Sequence, residues 1–195
     1  ASKRLLDAER WTDAYEKYDG HGWLTASIAF GNTCNLTCIT CGPGPSSRWQ
    51  QEYLARHSIN IQPNHFYKQN FVNDLMHHAP GLIHLDVPGG EPFLSGVREQ
   101  FQLLHGLIDA GRASEVSLHY TTNATVMPDD RWWLLWKNFK EIDLQISIDG
   151  VGEKNSYIRY PSNWQTVYHN IKKYQSKVKD CKNFRLSVSH TVSAY

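Results

Sequence analysis

Three of the four cysteines stand close together, in Cys34-Asn35-Leu36-Thr37-Cys38-Ile39-Thr40-Cys41, which has the spacing C-x3-C-x2-C. Three thiolates this close can bind three corners of a cubane iron–sulfur cluster, where a fourth cysteine would close the site. A missing fourth ligand leaves one metal position open to a small molecule, as in catalytic zinc sites. The alternatives are a structural zinc knuckle and unrelated buried cysteines, although no C-x2-C or H-x3-H pair follows downstream.

A second candidate for ligand binding is Gly89-Gly90-Glu91-Pro92, which we place at the end of the second predicted strand. Paired glycines let a backbone approach a ligand closely and expose its polar groups. The carboxylate of Glu91 can accept a hydrogen bond from an ammonium group. A plain strand–helix turn also favours glycine and proline, and this alternative stays open.

The third candidate joins Ser147-Ile148-Asp149-Gly150 to Arg159, which lies in Tyr157-Ile158-Arg159-Tyr160-Pro161. The guanidinium of Arg159 has the planar fork that suits a carboxylate. Ser147 is predicted on the polar face of a strand, and Asp149 at its end. The alternative is a solvated arginine beside an ordinary loop aspartate.

Strands and helices alternate along most of the chain. Strands are predicted at 24–30, 82–87, 116–121, 142–148 and 184–192. Helices are predicted from a cap at Ser46 or Ser47 to His57, at 66–76, along an apolar stripe from Val97 to Ile108 that stops at Gly111, at 132–139, and at 164–178 after a cap at Ser162 or Asn163. This alternation is typical of an α/β fold with a parallel sheet.

The strands themselves alternate between apolar and polar residues. In the fourth predicted strand, Ile142, Leu144 and Ile146 share one face, while Asp143 and Gln145 share the other. A parallel sheet covered by helices on both faces would have nearly continuous apolar strands. The polar face should therefore line a lumen, which predicts a partial (β/α) barrel with its chemistry at the carboxyl ends of the strands.

The three motifs follow predicted strands one, two and four, and in that order they resemble the radical S-adenosylmethionine (SAM) superfamily. The SIDG element with the YIRYPSNW stretch resembles more narrowly the lineage that carries C-terminal SPASM or twitch domains. The resemblance runs from about Leu24 to Tyr195. Thr40 departs from the pattern, because the family often has an aromatic residue at that position.

The resemblance implies a site for two cofactors. A [4Fe–4S] cluster would receive an electron and cleave SAM to methionine and a 5′-deoxyadenosyl radical, which abstracts a substrate hydrogen. The implied ligands are Cys34, Cys38 and Cys41 for the cluster, Gly89, Gly90 and Glu91 for the amino group of SAM, Ser147 and Arg159 for its carboxylate, and Thr122, Asn123 and Asp149 for its ribose.

The resemblance also implies partners and a domain division. The electron donor would be a protein such as flavodoxin or ferredoxin, and the substrate a peptide, a protein side chain or a small molecule. Residues 1–23 would form an N-terminal helical extension, and 24–195 a partial barrel with about five of the family's six strands. The sixth strand and the twitch or SPASM region would then lie outside this chain. The rival interpretation is a non-enzymatic zinc or iron–sulfur protein.

Composition narrows the class of protein. A length of 195 residues suggests one domain. The residues are 41% hydrophobic, and 20 Lys and Arg against 19 Asp and Glu give a formal net charge of +1. No block of like charge indicates a nucleic-acid partner, and no apolar run approaches the roughly 18 residues of a membrane span. No signal-peptide pattern begins the chain, so a cytoplasmic location is expected.

Two groups of reactive or aromatic residues have plainer explanations. Cys181 lies far from the other cysteines and is interpreted as an ordinary thiol. Trp132, Trp133 and Trp136 recur at helical spacing and are interpreted as helix packing, not a stacking platform.

Overall fold

Five parallel strands form one sheet in the order β1-β2-β3-β4-β5 in the computed structural model, which describes residues 12–60, 71–179 and 181–192. The strands are β1 (Thr25–Ser27), β2 (His84–Val87), β3 (Ser117–Thr122), β4 (Glu141–Ser147) and β5 (Phe184–Ser189). The helices are α1 (Ser47–His57), α2 (Phe71–His78), α3 (Val97–Asp109), α4 (Asp130–Trp136), α5 (Glu153–Ile158) and α6 (Trp164–Val178), with a 3₁₀ turn at Ala113–Glu115.

Each strand lies beside its predecessor in the chain, and every pair is parallel. Crossovers between parallel strands are right-handed, so successive connections bring their helices to the same side of the sheet. A doubly wound sheet would instead reverse its strand order at a switch point. The sequential order is that of a (β/α) barrel, and the predicted fold class is confirmed.

The helix-facing side of the sheet forms the core. Leu85, Leu118, Ile142 and Leu144 are at most 1% exposed and pack in one cluster with apolar residues of α3, α4 and α6. Trp136 of α4 is fully buried, and its ring lies 5.4 Å from that of Tyr120, 5.9 Å from Phe93 and 5.7 Å from Phe184, measured between ring centroids. The tryptophans of α4 are therefore packing residues, as predicted.

The other side of the sheet is polar, as the alternation predicts. Asp86, His119, Asp143 and Arg185 stand in register across β2 to β5. The Nδ1 atom of His119 lies 3.3 Å from Oδ2 of Asp143, and these side chains are 22% and 14% exposed. Apolar and polar residues still alternate in β5, but burial does not follow them, since Val188 is 59% exposed. Among the described strands β5 pairs with β4 alone and is an edge of the sheet.

Local signals determine several element boundaries. Ser46 caps α1 by accepting the backbone N–H of Trp49 at 3.3 Å, and Asn163 caps α6 by accepting that of Thr166 at 3.1 Å. β1 has three residues instead of the predicted seven, because the chain leaves the sheet to enter the cysteine loop. The short helix α5 was not predicted.

Some predictions fall partly outside the described residues. Helix α2 begins at Phe71, and the predicted start at 66 lies outside them. Residues 12–16 are helical within the predicted extension, and 1–11 are not described, so the domain division stays a prediction. Among the described helices, none has both the length and the apolar character that crossing a membrane requires.

Replacing Trp136 by alanine should lower the free energy of unfolding by about 3–5 kcal/mol, because a large cavity would open among aromatic rings. Urea denaturation of the two proteins under reducing conditions measures the difference. Leu134→Ala in the same helix is the control, since Leu134 is 64% exposed and its loss should cost less than about 0.5 kcal/mol. Equal losses in the two variants would contradict the core described here.

Candidate functional site

The cysteine loop, residues 28–46, connects β1 to α1 without a helix or strand of its own. It begins at the carboxyl end of β1, at the edge of the sheet where (β/α) barrels carry their sites. Cys38 is buried, Cys34 is partly buried and Cys41 is exposed. The backbone N–H of Cys41 donates to the carbonyl of Cys38 at 3.0 Å, which closes a turn between these two cysteines.

The three thiols are free and lie within electrostatic reach of one another. Burial raises the pKa of Cys38 from 9.0 to about 11, the charge of Arg159 lowers it, and the charges of Cys34 and Cys41 raise it further. Burial likewise raises the pKa of Cys34, with smaller contributions from Glu91 and Cys41. Within the described residues, no three His, Cys, Asp or Glu side chains converge as a site for a metal ion.

Helix α1 holds the loop from one side. The Ser46 hydroxyl donates to the carbonyl of Leu36 at 2.8 Å, and the backbone N–H of Cys34 donates to the Ser47 hydroxyl at 3.2 Å. The indole N–H of Trp49 donates to the carbonyl of Cys38 at 2.9 Å. The first turn of α1 therefore fixes the backbone at two of the three cysteines.

The last residue of α5 and the segment after it hold the loop from another side. The backbone N–H of Thr37 donates to the carbonyl of Tyr160 at 2.6 Å, and that of Ile39 donates to the carbonyl of Ile158 at 2.8 Å. These two bonds flank Cys38 on the loop and Arg159 on the partner segment. Two motifs that lie more than a hundred residues apart in the sequence are thus joined by their backbones.

The Gly89-Gly90-Glu91 turn packs directly on the cysteine loop. The N–H of Gly90 donates to the carbonyl of Pro45 at 3.0 Å, and the N–H of Glu91 donates to that of Thr33 at 2.9 Å. Gly90 has φ +57°, and a Cβ there would stand 2.5 Å from the Thr33 oxygen. The close approach of the cysteine loop to the backbone at position 90 therefore explains why this residue is a glycine. Contact between Gly90 and SAM stays a prediction.

Glu91 is completely buried, and both of its carboxylate oxygens have partners. The Thr122 hydroxyl donates to Oε1 at 2.7 Å, and the backbone N–H of Asn123 donates to Oε2 at 2.9 Å. Burial raises the pKa of Glu91 from 4.5 to about 7, although these hydrogen bonds lower it in part. Glu91 therefore joins the glycine turn to the end of β3.

The end of β3 reaches the cysteine loop in turn. The Asn123 amide donates to Oδ1 of Asn35 at 3.1 Å, and the Asn35 amide donates to the Thr125 hydroxyl at 2.8 Å. Thr122 is fully buried with its hydroxyl engaged on Glu91. Thr122 and Asn123 thus lie at the expected edge of the sheet, and their contact with a ribose stays a prediction.

The carboxyl end of β4 contributes a buried ion pair. Nη2 of Arg159 lies 2.8 Å from Oδ2 of Asp149, with the two side chains 12% and 0% exposed. Ser147, the last residue of β4, is 9% exposed. All the segments that carry predicted site residues therefore meet at one edge of the sheet.

Sequence reasoning missed the residues that support the loop. Asn35 stood inside the cysteine motif without an assigned role, and Ser46 was recognised only as a helix cap. Trp49 gave no signal, because a tryptophan in the first turn of a helix is ordinary. Asn35 could have been suspected, since a polar residue between metal-binding cysteines often bonds to neighbouring backbone or side chains.

A cavity of about 420 Å³ lies between the cysteine loop and α1, lined by Cys34, Asn35, Ser47, Arg48, Gln51 and Glu52. A larger groove of about 1230 Å³ lies between α2 and α3. We assign the site to the cysteine loop because the groove contains none of the motif residues.

Replacing Gly90 by alanine should destabilise the protein more than replacing Gly111. Both glycines have positive φ, which costs about 1–2 kcal/mol for a residue with a Cβ. Only Gly90 would also meet a backbone oxygen, at 2.5 Å, whereas a Cβ at Gly111 would have open space. Urea denaturation of both variants measures the difference, and equal losses would contradict the close approach of the two loops.

The stability of the metal-free protein should fall as the pH rises from 4.5 to about 7. The folded state holds the Glu91 proton more tightly than the unfolded state, so it loses stability as that proton is released. Glu91→Gln should flatten this part of the profile of unfolding free energy against pH. Glu153→Gln removes an exposed glutamate and should leave the slope unchanged. If Glu91→Gln leaves this slope unchanged, Glu91 is not the group whose proton release lowers the stability.

The sequence matches no protein-family model and no curated protein. Solved structures do match. Native anSMEcpe with bound AdoMet aligns at 17% identity and a TM-score of 0.54, over 83% of this chain and 43% of that one. Native anSMEcpe with bound AdoMet and Kp18Cys peptide aligns at 17% identity and a TM-score of 0.52, over 83% and 42%. SuiB of Streptococcus suis bound to S-adenosylmethionine aligns at 14% identity and a TM-score of 0.49, over 100% of this chain and 46% of that one. The chain spans less than half the length of these proteins and shares the fold of anSMEcpe.

Proposed function

We propose that this chain is the core of a radical SAM enzyme, in which Cys34, Cys38 and Cys41 hold a [4Fe–4S] cluster. The observation that carries the proposal is the assembly around the cysteine loop. Segments from α1, from the glycine turn, from the end of β3 and from 158–160 all hydrogen-bond to it. These four segments fix the loop that presents the three thiols, which is the preorganisation that a metal site requires.

The donor set fits a cluster of this kind. Thiolates are the ligands of iron–sulfur clusters, and these three thiols are free on one loop. Because burial raises the pKa of Cys34 and Cys38, both are neutral in the metal-free protein near pH 7. Bound iron would supply the positive charge that stabilises their thiolate forms, and cluster binding would then release protons.

SAM is the small molecule that we propose for the open position. A cluster bound by these cysteines would supply the one electron for cleavage of SAM to methionine and a 5′-deoxyadenosyl radical. Arg159 adjoins Cys38 through the backbone bonds of 158–160 and is the group best suited to the SAM carboxylate, and Ser147 at the end of β4 is proposed as a second contact. The backbone carbonyl oxygens of Gly89 and Gly90 would accept hydrogen bonds from the amino group of SAM.

The buried side chains of this region have supporting roles in the proposal. Glu91 and Thr122 are fully buried and bonded to each other, so we propose that they hold the glycine turn instead of contacting SAM through their side chains. Asn123 is 8% exposed and is the candidate of this group for a ribose contact.

A peptide is the substrate class that we propose. Support comes from the shared fold with anSMEcpe, which binds the Kp18Cys peptide together with AdoMet. The polar face of the sheet below the cysteine loop offers hydrogen-bonding groups to such a substrate, His119 and Asp143 among them. We further propose a flavodoxin or ferredoxin as electron donor and a cytoplasmic location, where such donors are found.

Anaerobic reconstitution tests the proposal. The wild-type chain should bind about four irons and four sulfides, and release 5′-deoxyadenosine when SAM and dithionite are added. Cys38→Ala should lose most of its iron, because one of three protein ligands is removed. Cys181→Ala is the matched control, since Cys181 lies between α6 and β5 and should leave iron content unchanged.

Stoichiometric zinc without sulfide would contradict the proposal and favour the zinc-binding interpretation. A cluster that binds no SAM would instead favour a protein that only holds or transfers electrons. Iron content and SAM binding are therefore scored separately from nucleoside release.

A further inference from the structure

Asp149 carries a charge that the structure removes completely from solvent, since its side chain is 0% exposed. One oxygen, Oδ2, pairs with Nη2 of Arg159 at 2.8 Å, and the other, Oδ1, accepts the backbone N–H of Thr191 at 2.9 Å. Its own N–H donates to Oδ1 of Asn155 at 3.1 Å. Oδ1 thus has a hydrogen-bond partner within the chain, whereas Oδ2 has the ionic contact with Arg159 and no hydrogen bond among the described residues.

Arg159 is held at both ends. Its backbone neighbours Ile158 and Tyr160 accept hydrogen bonds from the cysteine loop, which fixes the base of the side chain. Asp149 fixes the guanidinium. A long, flexible side chain would otherwise lose much of its rotamer freedom when it binds a ligand. The ion pair places the arginine in position before any ligand arrives.

The guanidinium has N–H donors that are not used within the described residues. Of its five N–H groups, those on Nη2 contact Asp149, and the one on Nε is buried without a hydrogen-bond partner among the described residues. A buried unmet donor costs free energy, which a ligand that accepts its hydrogen bond would recover. A carboxylate is the acceptor whose geometry matches this fork.

The ion pair lies close to the buried cysteine. The N–H groups of Thr37 and Ile39, the two neighbours of Cys38, donate to the carbonyls of Tyr160 and Ile158, the two neighbours of Arg159, so the two residues lie side by side. Arg159 therefore adjoins the position where a ligand of the cluster would lie.

We propose that Asp149 is a positioning residue, whose carboxylate orients the Arg159 guanidinium beside Cys38 so that its remaining donors receive the carboxylate of the bound ligand. The proposal rests on the proposed function, in which that ligand is SAM. It replaces the expectation that Asp149 reaches the ribose. It also connects the site to the carboxyl end of β5 through Thr191.

Equilibrium binding of SAM to the anaerobically reconstituted chain tests this role. Asp149→Asn keeps the size of the side chain and its acceptor for Thr191, but presents an amide donor to the guanidinium. Its dissociation constant for SAM should rise about tenfold or more, as for other residues that orient a binding group, while iron and sulfide content stay at wild-type levels. Asp149→Glu keeps the charge and should recover part of the affinity.

Two further variants separate positioning from general stability. Asn183→Ala removes the amide that donates to the carbonyls of Trp136 and Phe139 at the opposite end of β5, so it should destabilise the fold and leave SAM affinity unchanged. In Arg159→Lys, which already lacks the fork, adding Asp149→Asn should weaken SAM binding by less than about threefold, because the two residues act through one contact.

The outcomes distinguish this proposal from the proposed function. If the wild-type protein binds SAM and Asp149→Asn binds it equally tightly, the positioning role alone is overturned. Asn183→Ala and Asp149→Asn are compared at equal unfolding midpoints. If both raise the dissociation constant for SAM equally, the effect of Asp149 is one of general stability and the positioning role is overturned as well. Wild-type protein that binds a cluster but no SAM would overturn both.

Discussion

The shape of the cysteine loop depends on hydrogen bonds that it receives from the rest of the chain. Apart from turns at 39–40 and 43–45, its backbone makes no regular structure of its own. A loop with few internal bonds loses conformational entropy when it is fixed, and each external bond offsets part of that cost. The fold therefore matters to the site mainly as a frame that brings four bonding segments to one place.

Two buried carboxylates organise that frame on either side of the loop. Glu91 connects the glycine turn to the end of β3, and Asp149 connects Arg159 to the segment that follows β5. Both side chains are buried; Glu91 has a hydrogen-bond partner on each oxygen, and Asp149 has one on Oδ1 and an ionic contact on Oδ2. The raised pKa of Cys34 and Cys38 is a consequence of the same burial. A metal that binds these thiols must therefore displace their protons.

Sequence patterns predicted the scaffold well, because periodicity reports burial directly. The alternation of Ile142, Leu144 and Ile146 with polar neighbours predicted a sheet with one apolar face, and the structure shows it. The order of the motifs after successive strands predicted that they would meet at one edge, which follows from parallel strands. Helix α5 was missed because six residues carry too little periodicity to be recognised.

The roles of individual site residues were harder to predict. Residue type identified Glu91 and Asp149 as possible ligand contacts, but only the structure shows their oxygens already bonded to Thr122, Asn123 and Thr191. Long-range backbone bonds such as Thr37 to Tyr160 leave no trace in local sequence, because the carbonyl is the same in every residue. Spacing can therefore name a motif, while its partners depend on tertiary packing.

The measurement that tests the account most directly is the electron paramagnetic resonance spectrum of the reconstituted, dithionite-reduced chain, recorded with and without SAM. The account predicts the signal of one reduced [4Fe–4S] cluster, with g values that shift when SAM binds at the open position beside Cys34, Cys38 and Cys41. A signal that SAM leaves unchanged, or protein that takes up zinc and shows no signal, would contradict it.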